Sequence, residues 1–294
     1  MIEKQLEIQH GTIYYYTSEN WDEDRKTIFF FHGLTANHTM FEKQFEFFCD
    51  EFNVIAWDSP GHGKSRLFRV FTMDEATDII LKIMKQEKFE SFIAVGQSYG
   101  GYFPQAIMCR KSGIVQGFVG IGTSPYGEDY YSEMDYWILR RAGLMCRFFP
   151  WPILKLLSAI GVSSTMDGFK NMMQMLSQYD KKEYEKVVQD YYDALVDDIK
   201  DVDIDCPVLL TIGQHDRTGK VRKYNVRWHK HTGCRLEVIK GASHNANVDN
   251  PDRMNEIIYS FVCNLKINSN TNTNNTNDGN NTSSDEESCE LFIE

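Results

Sequence analysis

The stretch FIAVGQSYGGYFPQAIMCR, residues 92–110, constrains this chain more than any other. Residues 92–95 have the composition of a short buried strand. From Tyr99 onward the apolar spacing turns helical, with Ala106, Ile107 and Cys109 among its positions. Between the two stands Gly96-Gln97-Ser98-Tyr99-Gly100. A serine in so tight a strand-to-helix turn is held in a strained conformation with its side chain projected outward. Side chains at Gly96 and Gly100 would collide with the adjoining strand and helix. A G-x-S-x-G pattern alone arises by chance, and its place at such a junction gives it weight.

The rest of the chain alternates strands with helices. Residues 6–8 and 12–16 read as a hairpin around His10-Gly11, and 27–31 (TIFFF), 53–57 (NVIAW) and 115–121 (VQGFVGI) as strands. Helical patterns fall at 41–48 and 73–87, the latter with Ile79, Ile80, Ile83 and Met84 on one face. This rhythm predicts a mainly parallel sheet covered on both faces by helices. It breaks near Ser124. No strand is expected from 128 to 200, only helices near 132–148, 151–160, 167–179 and 182–197. Strands return at 208–212 (VLLTI) and 236–239 (LEVI), followed by a helix over 252–265. The predicted organisation is an α/β core, residues 1–123 and 204–266, interrupted by a helical insertion at 124–203. Residues 267–294 are Asn-rich and acidic, too polar to bury a core, and are expected to be disordered.

Composition narrows the function. A net charge of −11 argues against a nucleic-acid partner. No apolar run approaches membrane-spanning length, and the N-terminus lacks an apolar signal core. The seven cysteines are scattered and without metal-ligand spacing, which fits reduced thiols in a cytoplasmic protein. The loop Asp58–Ser65 has a G-x-G but no Walker spacing. Its glycines allow a tight turn in which Asp58 and Ser65 bond backbone groups. No cofactor and no metal are expected.

A serine hydroxyl needs a base, and the base needs an orienting group. His244, in the loop GASHNAN after a late strand, is the expected base, rather than His32 or His62 in their Gly-flanked loops. Asp216, just beyond the strand VLLTI, is the expected acid. Backbone N–H groups of Leu34, after His32-Gly33, and of Tyr99 are the expected donors to a developing oxyanion.

These features together resemble the α/β-hydrolase superfamily. The order Ser98, Asp216, His244 is the family's order. His32-Gly33 stands where the family has its oxyanion loop, WDSPGHGKS resembles its D-x-x-G-x-G-x-S loop, and GQSYGG its nucleophile turn. The resemblance implies an eight-stranded, mostly parallel sheet flanked by helices, with the insertion as a helical cap after the sixth strand. It also implies a serine hydrolase acting on esters, with water as second substrate; because no acidic or basic cluster in the insertion announces a charged substrate, small to medium, mostly uncharged acyl groups are expected. Monoglyceride-lipase-like, thioesterase, lactonase and carbon–carbon hydrolase variants share the triad, and a ligand-binding sensor shares the fold. Part of the insertion's aromatic and methionine content, including Trp137, Met172 and Met175, is expected to line the acyl site.

Overall fold

The computed structural model describes residues 1–67 and 71–265. The polar tail at 267–294 lies outside the described residues. Eight strands form one sheet in the order β1-β2-β4-β3-β5-β6-β7-β8. They are β1 (Ile2–Ile8), β2 (Gly11–Thr17), β3 (Thr27–Phe31), β4 (Asn53–Trp57), β5 (Phe92–Gln97), β6 (Val115–Ile121), β7 (Val208–Gly213) and β8 (Arg235–Ile239). Strand β2 pairs antiparallel with both β1 and β4, and every other pairing is parallel.

Strands β3, β4 and β5 are buried along their whole length. That requires apolar residues on both faces, as parallel sheets between two helix layers have. The alternation along β3 makes this concrete. Phe29 and Phe31 enter one core with Trp57, Phe92 and Phe103, while Ile28 and Phe30 enter the other with Phe41 and Phe48. The covering helices are α1 (Glu42–Phe48), α2 (Met73–Glu87), α3 (Tyr102–Arg110), α9 (Val221–Thr232), α10 (Ala246–Asp249) and α11 (Pro251–Asn264). Helix α2 starts where Thr72 accepts the N–H of Glu75 and stops at Lys88 in the left-handed conformation.

The insertion after β6 comprises α4 (Glu133–Leu139), α5 (Ala142–Cys146), α6 (Trp151–Val162), α7 (Met166–Leu176) and α8 (Lys181–Asp198). The single helix expected over 132–148 is two. Arg141, at φ −120° and ψ 5°, interrupts it. The break lets Gly143 lie against α8, so closely that a Cβ there would fall 2.6 Å from the Glu185 carbonyl oxygen.

Candidate active site

The sheet register brings the site together. Phe31 pairs with Gly96, so Gly33 and Ser98 each lie two residues beyond that pair on neighbouring strands. Gln97 pairs with Ile121, which sets Ser98 level with Gly122. The turns after β7 and β8 supply Asp216 and His244 at the same carboxyl edge. In open α/β sheets that edge is where ligands bind.

Ser98 has φ +50° and is partly exposed. Its turn closes through a short 3-10 segment, Ser98–Gly101, into α3. Gly96 and Gly100 are needed there. A Cβ on Gly96 would lie 2.5 Å from Gly101 Cα, and one on Gly100 would collide with the Phe31 and His32 carbonyl oxygens. Only two other non-glycine residues among those described have positive φ, Thr35 (63°) and Lys88 (58°). Lys88 is an ordinary helix C-cap. Thr35 is β-branched and genuinely strained, and it sits in the loop facing Ser98, so the strain gathers at one place.

His244 and Asp216 form a buried pair, with Nδ1 2.9 Å from Oδ2. The other carboxylate oxygen, Oδ1, accepts the N–H of Thr218 at 2.9 Å. Burial favours protonation of Asp216, but the bonds from His244 and Thr218 outweigh it and hold the carboxyl below its ordinary value. Asp216 is therefore an acceptor, which orients the imidazole with a proton on Nδ1 and a lone pair on Nε2. Nε2 has no protein partner among the described residues, and Ser98 Oγ makes no hydrogen bond to it. Such bonds often tighten only with substrate. Gln97, immediately before Ser98, donates from Nε2 to the His244 carbonyl at 3.1 Å and so ties the two loops together.

The loop after β3 is built around two buried imidazoles. His32 Nδ1 donates to the Gly33 carbonyl at 2.8 Å, and its Nε2 accepts the N–H of Ser59 at 3.0 Å. His62 Nδ1 donates to the Pro60 carbonyl at 3.0 Å, and its Nε2 accepts the N–H of Thr35 at 2.9 Å. Burial lowers His32 to about 4, against the opposing charge of Asp58. Burial, then the neighbouring His32 ring, lowers His62 to about 3. Both rings are fixed as neutral structural members with both nitrogens engaged. They hold the loop so that the Leu34 N–H has no protein acceptor among the described residues. Asp58 belongs to the same scaffold, since its carboxylate accepts His38 N–H (3.0 Å) and Lys64 N–H (2.8 Å). These bonds and His38 Nδ1 (2.7 Å) overcome the effect of burial and keep its carboxyl low. Ser65 Oγ accepts the Tyr14 N–H at 2.9 Å. The Asp58–Ser65 loop is thus the structural turn expected from its glycines.

The profile of the Alpha/beta hydrolase family matches residues 28–257. The chain belongs to the α/β-hydrolase family. No curated protein matches it. Among proteins of known structure, a thermophilic esterase from Thermogutta terrifontis is similar, with a TM-score of 0.71 at 19% identity, over 90% of this chain and 99% of that one. The enol-lactonase from Burkholderia xenovorans LB400 gives 0.69 at 18%, over 88% and 100%. An esterase from Exiguobacterium antarcticum gives 0.67 at 17%, over 86% and 96%. At such identities the likeness is one of fold.

Within this α/β-hydrolase, several residues at the site go beyond those expected from sequence. Gly122, at φ +54°, passes beside the buried pair, and a Cβ there would lie 3.1 Å from His244 Nδ1 and 3.3 Å from Asp216 Oδ2. Its signal was only a glycine at a strand end. Asn245 and Thr218 likewise have no motif. Met172 Sδ lies 3.9 Å from Asn245 Nδ2, which brings α7 next to the His244 loop. Met172 and Met175 are buried, but Trp137 is half exposed and covered by Arg141. The Tyr99 hydroxyl donates to the Tyr191 carbonyl at 2.6 Å and joins the nucleophile turn to α8. Among the described residues no cluster of three or more metal-ligating side chains occurs, and no helix is long and apolar enough to cross a membrane.

Proposed function

We propose that this α/β-hydrolase cleaves carboxylic esters through an acyl-enzyme on Ser98. The observation that carries the reading is the strained serine at φ +50° on the same sheet edge as a buried His244–Asp216 pair bonded at 2.9 Å. Ser98 Oγ attacks the ester carbonyl carbon while its proton passes to His244 Nε2. Asp216 keeps the imidazole in the accepting tautomer and stabilises the imidazolium. The Leu34 and Tyr99 N–H groups receive the oxyanion, each worth about 10²–10³ in rate. Collapse expels the alkoxide, which takes the proton from His244 and leaves as the alcohol. Water then attacks the acyl carbonyl, gives its proton to His244, and the acid departs as Ser98 is restored.

The insertion, residues 124–203, acts in this reading as a cap that bounds the acyl site. Buried Met172 and Met175 on α7 suit a flexible apolar wall for an uncharged acyl group. The esterases among the similar folds are consistent with this chemistry. The test is a fluorophosphonate probe on the folded protein, with the adduct located by mass spectrometry. A Ser98 adduct is expected, and protein unfolded before the probe is added should acquire none. A folded protein that acquires no Ser98 adduct would overturn the proposal. A panel of esters, thioesters and lactones of graded length then ranks the acyl substrate.

A further inference from the structure

The insertion turns much of its apolar surface outward. Twelve of the fifteen most exposed large apolar side chains among the described residues lie between 134 and 166, the others being Met1, Ile2 and Phe47. On α6, Ile153, Leu156, Leu157 and Ile160 recur at helical spacing and form one exposed stripe. The other side of the same helix packs inward. Ala159 is fully buried, and the Trp151 ring lies 5.1 Å from that of Tyr184 on α8. Helix α6 thus has two apolar faces and only one is covered. Phe148, 80% exposed, and Phe149 extend the uncovered face just before it. A patch of this kind marks a binding surface.

Its charge says what kind. Residues 136–166 contain no Asp or Glu and four basic residues, in a chain whose net charge is −11; of the two acids in the first turn of α4, Asp135 is paired with Lys220 and Glu133 is exposed. Arg140 and Arg147 are paired with Asp197 and Glu185 of α8. Arg141 and Lys155 have no carboxylate partner among the described residues. Each is held over an indole, Arg141 at 4.5 Å from the Trp137 ring and Lys155 at 5.2 Å from that of Trp151.

We propose that the outer face of α4–α6 docks on an anionic phospholipid surface. The Ile153, Leu156, Leu157 and Ile160 stripe enters the boundary between headgroups and acyl chains, as interfacial helices do. Trp137, half exposed, sits at headgroup level. Arg141 meets the lipid phosphates; Lys155, four residues on from inward-packed Trp151 and held over its ring, lies away from the stripe. A second copy of the chain fits less well. A two-fold contact through this face sets it against the same face of a second copy, which from 136 to 166 offers Arg141 no carboxylate. The docking does not depend on the chemistry at Ser98, and its test is a binding measurement.

The full chain is floated with vesicles of phosphatidylcholine alone and with vesicles of phosphatidylcholine and phosphatidylserine. Co-flotation with the mixed vesicles is expected, weakened by added salt. Arg141→Gln should lower partitioning onto the mixed vesicles roughly fivefold, for the one charge removed. Leu156→Ser with Leu157→Ser should lower it by tenfold or more on the same vesicles. Arg141→Gln and the double leucine variant should both melt like the wild type, because Leu156, Leu157 and Arg141 face solvent. Absence of flotation with either vesicle overturns the proposal, and so does flotation that both variants leave unchanged. A dimer in sedimentation velocity that Leu156→Ser with Leu157→Ser dissociates, without flotation of the wild type, assigns the face to a second copy instead.

Discussion

The sheet and the insertion solve the same burial problem in opposite ways. Strands β3, β4 and β5 bury every residue, since helices cover both faces of the sheet. Helix α6 is as apolar as those strands, yet leaves Ile153, Leu156, Leu157 and Ile160 exposed. Glycines sharpen the contrast. At the sheet edge they are forced by close approach, as at Gly96, Gly100 and Gly122, whereas Gly161 in α6 has open space where a side chain would go. A region packed within itself tolerates no change of shape. A region whose partner lies outside the molecule is free to vary.

The largest expected effect falls on the sheet edge. Ser98→Ala should lower turnover by a factor on the order of 10⁶ with the melting curve unchanged, and His244→Ala by a comparable factor. The double variant should be little worse than either, because each disables the same step. A double variant that lost the product of both factors would remove these two residues from a shared step. Next in size is Gly100→Ala. The new methyl group meets backbone oxygens of Phe31 and His32, which cannot swing aside. A loss of about 3 kcal/mol or more in a urea titration is expected, and a near-neutral outcome would show that the nucleophile turn is looser than its contacts imply.

The third effect is a pH dependence. The folded values of His32 and His62, about 4 and about 3, lie below the unfolded value of about 6.5. Between these limits the unfolded chain takes up protons that the folded one refuses, so stability falls as pH drops below about 6.5. From pH 6.5 to 5.5 the two imidazoles together should remove about 2 kcal/mol, and His62→Gln should flatten the slope. The smallest effect belongs to the insertion. Gly161→Ala should leave stability unchanged or raise it by up to about 1 kcal/mol in thermal melts, the reverse in sign of Gly100→Ala.

The same contrast explains what could be read from the chain. Strands β4 and β6 and helix α2 fall at the bounds their periodicity predicts, because local apolar pattern and tertiary burial agree there. The turn at Ser98 was legible from its glycines, and the loops carrying Asp216 and His244 from their place after late strands. Gly122 was not, because its constraint comes from His244 and Asp216, about a hundred residues away in the chain. His32 and His62 stood as possible bases, and only their ring partners show that both nitrogens are taken. The break at Arg141 was hidden because it serves the contact of Gly143 with α8 rather than any local propensity. The exposed stripe on α6 has the composition of a core, and composition does not say which side of a helix finds a partner.

One hydrogen bond joins the two regions at the most sensitive point. The N–H of Asn245, the residue after His244, donates to the carbonyl of Val162 at the end of α6, at 2.8 Å. For protein engineering this makes Val162 a splice point. An insertion transplanted from another hydrolase would have to return a backbone carbonyl to that place, whatever its side chains. A graft that missed it would leave the His244 loop short of an anchor even with Ser98, Asp216 and His244 all present.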